Sequence, residues 1–250
     1  MKKSKSIVDL LILLVSIVLF LVIWEGVVII FSIDKNLLPK PSTIFSNIYT
    51  LRKLLLKHSI VTVYEAVVGL LLSLIVAIIL SILLDLFKLL NKLFYPWMII
   101  SQTIPLTAVA PLFIIWFGFD SLSKVLVVML VCFFPLVVNI LTGFKEVDQD
   151  LLDLMKVMKA SKLQVYLKLK IPNAFPYILS GLKISTTYAI LAAVIGEWMG
   201  GKSGLGIYMS RLLHSFNTPG LFAVIFVIMF LSIFLIAIVQ SLEKILIKWK

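Results

Sequence analysis

Six stretches of this chain are apolar almost without interruption: Ile7–Phe31, Ile60–Leu84, Leu93–Phe117, Leu122–Gly143, Pro176–Trp198 and Leu221–Ile245. Each is long enough to cross a hydrocarbon layer, which takes about 20 helical residues. The runs are continuous rather than alternating, so helices are expected and the strands of a barrel are not. Of the 250 residues, 62% are hydrophobic and only 14% charged. A water-soluble domain carries roughly 25% charged residues, so a bilayer is the solvent that suits this chain. The expected fold is all-α and integral to the membrane, with six transmembrane helices. Residues 1–250 read as one transmembrane domain, because nothing outside the runs is long enough for a second core.

The net charge of +11 does not point to nucleic acid, because the basic residues gather at the ends of the apolar runs. That placement suits anionic headgroups and the positive-inside rule. With the N-terminus inside, inner segments hold Lys2, Lys3, Lys5, Lys88, Lys92, six lysines between 145 and 170, and Lys244, Lys248 and Lys250. Outer segments hold half as many, from Lys35 to Lys57 and then Lys202 and Arg211, while Lys124 and Lys183 stand at span ends. The bias places both termini in the cytoplasm. The first run is too long for a signal-peptide core and no small-residue cleavage site follows it, so it reads as a retained span. The outer segment Ser32–Ser59 contains LLPKPSTIF. Its prolines suggest an extended lead-in, then a short amphipathic helix lying on the outer surface. Pro105 and Pro111 in the third run predict kinks, with Gln102, Thr103 and Thr107 beside them. Such a bend is either a packed kink or the lining of a passage.

One interior segment is polar: residues 144–175, FKEVDQDLLDLMKVMKASKLQVYLKLKIPNAF. Leu151, Leu154, Met155 and Met158 recur at i, i+3, i+4 and i+7, the face of a short amphipathic helix. Ser161 and Gln164 fit a capping box, so a second helix should begin there. Ile171–Pro172 should end it, because a residue before proline avoids the α region. Both helices are too short to hold alone in water. They either rest on headgroups or dock on a partner.

This segment resembles the cytoplasmic loop of permease subunits of type I ABC importers, the binding-protein-dependent transport family. That loop reads Glu-Ala-Ala, three residues, Gly-Ala-Ser, then Leu-Pro or Ile-Pro about ten residues on. Here Asp153, Leu154 and Met155 hold the first positions. Lys159 stands where the family has Gly, followed by Ala160 and Ser161, with Ile171 and Pro172 in place. The resemblance covers nearly the whole chain. LLPKPS, IPLTAVAPLFIIWFGFDSLSK and FFPLVVN are similar to the subgroup serving nitrate, sulfonate, taurine and thiamine-precursor uptake, and AVIGEWMGGKSGLG to its thiamine- or riboflavin-related members.

The resemblance implies a homodimer with the passage between two copies, separate ABC ATPase subunits that hold ATP and Mg, and an extracellular substrate-binding lipoprotein. It makes residues 144–175 the ATPase-coupling loop and leaves this chain without a cofactor or covalent chemistry of its own. It also implies a small polar or anionic cargo, best matched by a pyrimidine-type thiamine precursor, with sulfonate, taurine or nitrate as the alternative.

Gly196–Ser203 matches the phosphate-binding pattern G-x-x-x-x-G-K-[ST] letter for letter. That pattern needs a strand before it and amides cradling phosphate at a helix start. Here an apolar run precedes it, and Glu197 and Trp198 are ill suited to phosphate, so it reads as a false match. His58 and His214 have no ligand-spaced partners and predict no metal site. Cys132 reads as a small packing residue. Ionisable residues in or beside spans are Glu25, Glu65, Asp85 and Glu197. Asp85 reads as interfacial, and Glu25 and Glu65 as snorkelling or packed on the outer loop. Gln102, Thr103, Asn139, Thr186, Thr187, Tyr188 and Glu197 are candidates for lining a path, against the plainer role of hydrogen bonds between helices. A self-contained membrane ATPase would rest on the rejected motif. An ion-coupled transporter would want partnered ionisable groups at mid-span, of which the sequence offers few.

Overall fold

The computed structural model describes the backbone of residues 2–246 and the side chains from residue 11 to 246. The side chains of Lys2, Lys3 and Lys5, and Lys248 and Lys250 altogether, lie outside the described residues, so the part of the charge count that rests on them has no structural counterpart. Among the described residues, ten α-helices and one π turn follow one another: α1 Lys2–Ile30, α2 Pro41–Leu86, α3 Lys88–Ser101, α4 Leu106–Phe117, α5 Ser121–Lys145, α6 Gln149–Val157, α7 Lys162–Val165, the π turn Tyr166–Lys170, α8 Ile171–Gly200, α9 Leu205–His214 and α10 Thr218–Leu246. Five helical stretches among the described residues are long and apolar enough to cross a membrane. The α3–α4 pair, bent by 104°, makes a sixth if it counts as one broken span.

Three expectations need correction. The outer amphipathic helix and the second span are one helix, α2, of 46 residues. Pro41 sits at its first position, where the missing N–H costs nothing, and neither Gly nor Pro interrupts the chain again until Gly69. Ile171–Pro172 does not end a helix. It opens α8 directly after the π turn, in which Ile171 N–H bonds back to the Tyr166 carbonyl. The wider turn shifts the hydrogen-bond register just where proline cannot donate. Of the two prolines in the third run, Pro105 marks the break while Pro111 lies within α4.

The chain divides into two compact units, Met1–Lys57 with Tyr208–Val227, and His58–Ile207 with Ile228–Lys250. In the first, the Glu25 carboxylate of α1 caps the start of α2. It accepts from Ser42 N–H at 3.0 Å and Ser42 Oγ–H at 2.7 Å, satisfying an orphan donor of the first turn. Glu25 is thus a cap rather than a snorkelling acid. The rings of Trp24, Phe222 and Phe226 gather beside it.

The second unit is built on the pair α5–α8. Leu136, Val137, Ile140 and Phe144 of α5 meet Ala174 of α8, Ala77 and Leu84 of α2 and Met98 of α3 in one buried cluster. The approach is close because the contact residues are small. A Cβ at Gly143 would stand 2.8 Å from Ala174 Cα, so any larger residue there would force the helices apart. Ser185 Oγ–H donates to the Cys132 carbonyl at 2.9 Å, and Cys132 Sγ–H lies 3.4 Å from the Ser185 carbonyl. Cys132 is therefore a packing residue that also pins the two helices in register.

Candidate functional site: a side cavity, a polar hairpin and a buried charge cluster

The break between α3 and α4 generates a cavity. Gln102 and Thr103 close α3 with N–H bonds to Ile99 and Ile100, and Thr103 Oγ–H also bonds the Ile100 carbonyl at 2.8 Å. Pro105 then runs extended and starts α4. The sharp turn leaves Ser101, Gln102 and Thr103 facing a space of about 370 Å³, walled by Leu130 and Val131 of α5 and by Tyr188, Leu191 and Ala192 of α8. Its polar groups are hydroxyls and one carboxamide, and none of the residues around it is charged. Of the residues singled out in the sequence for a path, Gln102, Thr103 and Tyr188 meet here.

The others do not line it. Asn139 turns its amide back one turn, donating to the Pro135 carbonyl of its own helix at 2.8 Å. Thr186 is buried and bonds the Leu182 carbonyl, and Thr187 bonds Lys183. Glu197 belongs to a different cluster, described below. Side-chain polarity alone could not separate these, because one-turn backbonding satisfies a hydroxyl anywhere on a helix.

Residues 148–165 form the polar hairpin. Asp148 caps α6 by accepting from Asp150 N–H at 2.9 Å. Asp150 in the first turn and Lys156 in the last complement the helix dipole. The hydrogen bond and charge of Lys156, 2.7 Å away, hold the Asp153 carboxyl below the usual carboxylate range. At the corner, Lys159 N–H bonds Lys156 and Ala160 N–H bonds Met155, both to carbonyls. This is a Schellman turn with Lys159 in its left-handed position, at φ 53°. The position occupied by Gly in the family pattern is the one that needs positive φ, and Lys adopts it here. Ser161 and Gln164 then make both bonds of the capping box. Every residue of α6 and α7 keeps solvent exposure, with Val157 80% and Met158 68% exposed. An apolar stripe this open is not satisfied by the chain itself. The hairpin returns through Tyr166, whose hydroxyl donates to Asp85 near the end of α2. Lys170 Nζ bonds the same carboxylate oxygen.

The third feature was not legible as a unit. Glu197, near the end of α8, is fully buried and accepts from Gly206 N–H at 2.6 Å. Gly204 N–H donates to His58 Nδ1 at 3.0 Å and Leu205 N–H to Thr62 Oγ at 2.9 Å, both acceptors on α2. The first donors of α9 are thus capped by tertiary partners. Glu65, one turn beyond Thr62 on α2, is also buried and lines one small space with Ser121 and Lys124, beside Glu197. Lys124 of α5, 2% exposed, donates to the carbonyls of Phe119, Asp120 and Gly200 at 2.6, 3.1 and 3.0 Å and lies beside both acids. Glu65 therefore does not snorkel. Outside the cluster, Lys202 bonds Asp120 at 2.7 Å and holds that carboxyl below its usual range. The phosphate-loop-like letters Gly196–Ser203 run down the last turns of α8 and out of it. The amides of Gly196–Gly200 face along a helix rather than around a phosphate.

Residues 69–248 match the family described as binding-protein-dependent transport system inner membrane component. The chain is 35% identical to the formylaminopyrimidine transport permease protein ThiX of Halalkalibacterium halodurans, over 93% of each chain. It is 31% identical to the riboflavin transport system permease protein RibX of Chloroflexus aurantiacus, over 94% of this chain and 89% of the relative. It is also 31% identical to the putative aliphatic sulfonates transport permease protein SsuC of Bacillus subtilis, over 91% and 83%. A solved chain of the MetNI methionine ABC transporter in an inward-facing conformation superposes with a TM-score of 0.66 at 14% identity, covering 78% of this chain and 97% of that one, a likeness of fold. Sequence and fold agree that the chain belongs to the binding-protein-dependent transport family of inner-membrane components, the permease subunits of type I ABC importers.

Proposed function

We propose that this permease moves a small uncharged polar solute, of the pyrimidine type that serves as a thiamine precursor. The observation that carries the proposal is the lining of the side cavity: Ser101, Gln102, Thr103 and Tyr188, with no charged side chain. A ring bearing amino and carbonyl groups finds there donors, acceptors and an aromatic face. A sulfonate or nitrate would lose hydration without gaining a cation. The formylaminopyrimidine for which the ThiX relative is named supports the same class.

The machine follows from the family. Two copies of this chain pair with the passage between them, two ATPase subunits holding ATP and Mg dock from the cytoplasm, and an extracellular binding protein delivers solute from the other side. Both termini are cytoplasmic. Residues 144–175 are the coupling loop, with Asp153, Leu154, Met155, Lys159, Ala160, Ser161, Ile171 and Pro172 in the family positions and the open Val157–Met158 stripe as the surface that the ATPase covers. The chain makes and breaks no covalent bond. It supplies two arrangements of its helices, biased by nucleotide on one side and loaded binding protein on the other.

Uptake into proteoliposomes containing the permease with its ATPase and binding protein tests this. ATP-driven accumulation of a labelled formylaminopyrimidine, with taurine and nitrate left outside, is the expected result. Uptake of taurine and not the pyrimidine refutes the cargo assignment. Uptake driven by an ion gradient without the ATPase refutes the importer assignment.

A further inference from the structure

We propose that Asp85 is a positioning residue that passes movement of the cytoplasmic hairpin into α2, and that α2 carries it to the buried cluster at Glu65 and Glu197. The proposal rests on the hairpin being the coupling element, as above.

The hairpin has few holds on the helices behind it. No residue of α6 or α7 is buried. Its return limb is anchored at Tyr166, which is buried and stacks edge-on against Phe144 at the end of α5, ring centres 5.7 Å apart. From that limb two polar ties reach α2, and both end on one carboxylate oxygen of Asp85, from Tyr166 Oη–H and from Lys170 Nζ. Lys170 also lies 5.0 Å from the Tyr166 ring centre, so three groups close a compact clamp. The side chains of Asp85 and Lys170 are each only 17% exposed, so this pair is screened far less than a surface pair.

The backbone is adapted to the clamp. Tyr166–Lys170 is a π turn, the equivalent of one residue inserted between α7 and α8. Each helical residue turns the chain by about 100°. Without the insertion, the hairpin and Tyr166 would face a different direction relative to α8. The irregular turn sets the limb in the phase at which both donors meet Asp85.

The other end of the connection is on the same helix. Asp85 is the penultimate residue of α2, and Glu65 lies 20 positions earlier without a break in the helix. That separation spans about 30 Å of continuous helix at 1.5 Å per residue. On this part of α2, His58 and Thr62 hold the N–H groups of Gly204 and Leu205, with Glu65 buried one turn further on. A helix gripped by the hairpin at one end and gripping the 197–206 segment at the other is a physical link between the ATPase side and the far side. A displacement at Asp85 moves the acceptors that hold Gly204 and Leu205.

The test uses the whole complex, permease with ATPase and binding protein, in proteoliposomes. Two quantities are read: solute moved per ATP hydrolysed, and the rate at which S203C reacts with an impermeant maleimide with and without ATP. The natural Cys132 is buried and stays silent. In the parent, the S203C rate should change with nucleotide. In D85N, the ATPase should remain bound and hydrolyse ATP. Solute per ATP should fall by about tenfold, within the usual range of coupling between sites, and the S203C rate should no longer respond to ATP. D85E, which keeps the carboxylate, should recover much of both. Parent-like coupling and a parent-like S203C response in D85N overturn the proposal. If D85N does not assemble, K170M is read by the same two quantities and the same outcomes decide. A parent complex without ATP-driven uptake is a failure of the importer reading instead, and is seen before any variant is compared.

Discussion

A Cβ built on Gly204 would fall on the carboxyl group of Glu197. The two residues are held at this distance because the chain leaves α8 and turns back so that Gly206 N–H can reach the same carboxyl at 2.6 Å. Gly204 also sits at φ 113°, which side chains rarely adopt. Gly204→Ala therefore meets two obstacles, backbone strain and a displaced buried acid. Strain alone costs about 1–3 kcal/mol. The purified G204A complex should unfold at a clearly lower temperature than its parent, and an unchanged melting curve would refute this account of the turn.

Lys124 answers a different need in the same cluster. It is the cation beside Glu65 and Glu197, and it bonds three carbonyls, two in the link between α4 and α5 and one at the end of α8. Lys124→Met leaves those carbonyls without their donor and the acids without their counter-charge. Removing one partner of a buried charge set costs about 3–5 kcal/mol. Little K124M protein should accumulate in membranes. Adding Glu65→Gln should restore part of the loss, because the second change removes an acid that the first left uncompensated. Quantitative blotting of membranes from the three variants checks the sign of that coupling.

At the hairpin corner, Lys159 occupies the left-handed position of the Schellman turn. A non-glycine residue there gives up roughly 1–2 kcal/mol relative to its ordinary conformations. Lys159→Gly should leave transport intact and raise the stability of the complex slightly, part of the relief being offset by the added freedom of the unfolded chain. By contrast, Ala160→Trp puts bulk on the proposed docking surface. It should lower both uptake and recovery of the ATPase with the permease on affinity purification. If A160W pulled down the full amount of ATPase and transported normally, the docking role of the corner would be lost.

How much of this was readable in the residues varied with the range of the interaction. The spans were legible because apolar length is a property of a window. The Ser161–Gln164 box was legible because capping is local. The continuity of α2 is hidden in the sequence by the change from amphipathic to apolar character at Ile60, which resembles a boundary. The better signal was the absence of any breaker from Ser42 to Val68. Ile171–Pro172 looks like a stop because the rule for residues before proline assumes α geometry, and a π turn lifts that assumption. Glu65, Lys124 and Glu197 come from three helices far apart in sequence. Each looked like an isolated ionisable residue, and only the fold puts them together. Asp85 looks merely interfacial in the sequence for the same reason, its partners lying more than 80 positions away.

The cargo class can be tested on this chain by charge at one position. Gln102 faces the cavity at the α3–α4 break, where the lining is uncharged. Gln102→Glu and Gln102→Lys change its size little and its charge in opposite directions. For an uncharged solute, both variants should reduce ATP-driven uptake to a similar degree, because each brings a charge that must stay hydrated. For an anion the two should diverge. A like charge about 4 Å away costs about 4 kcal/mol at an effective dielectric constant of 20, so Q102E would all but stop transport while Q102K would spare or improve it. Comparing initial uptake rates of labelled formylaminopyrimidine and labelled taurine in the two variants reads this difference directly. Matched losses for the pyrimidine are expected. A strong preference for Q102K would assign the path to anions and overturn the cargo proposed here.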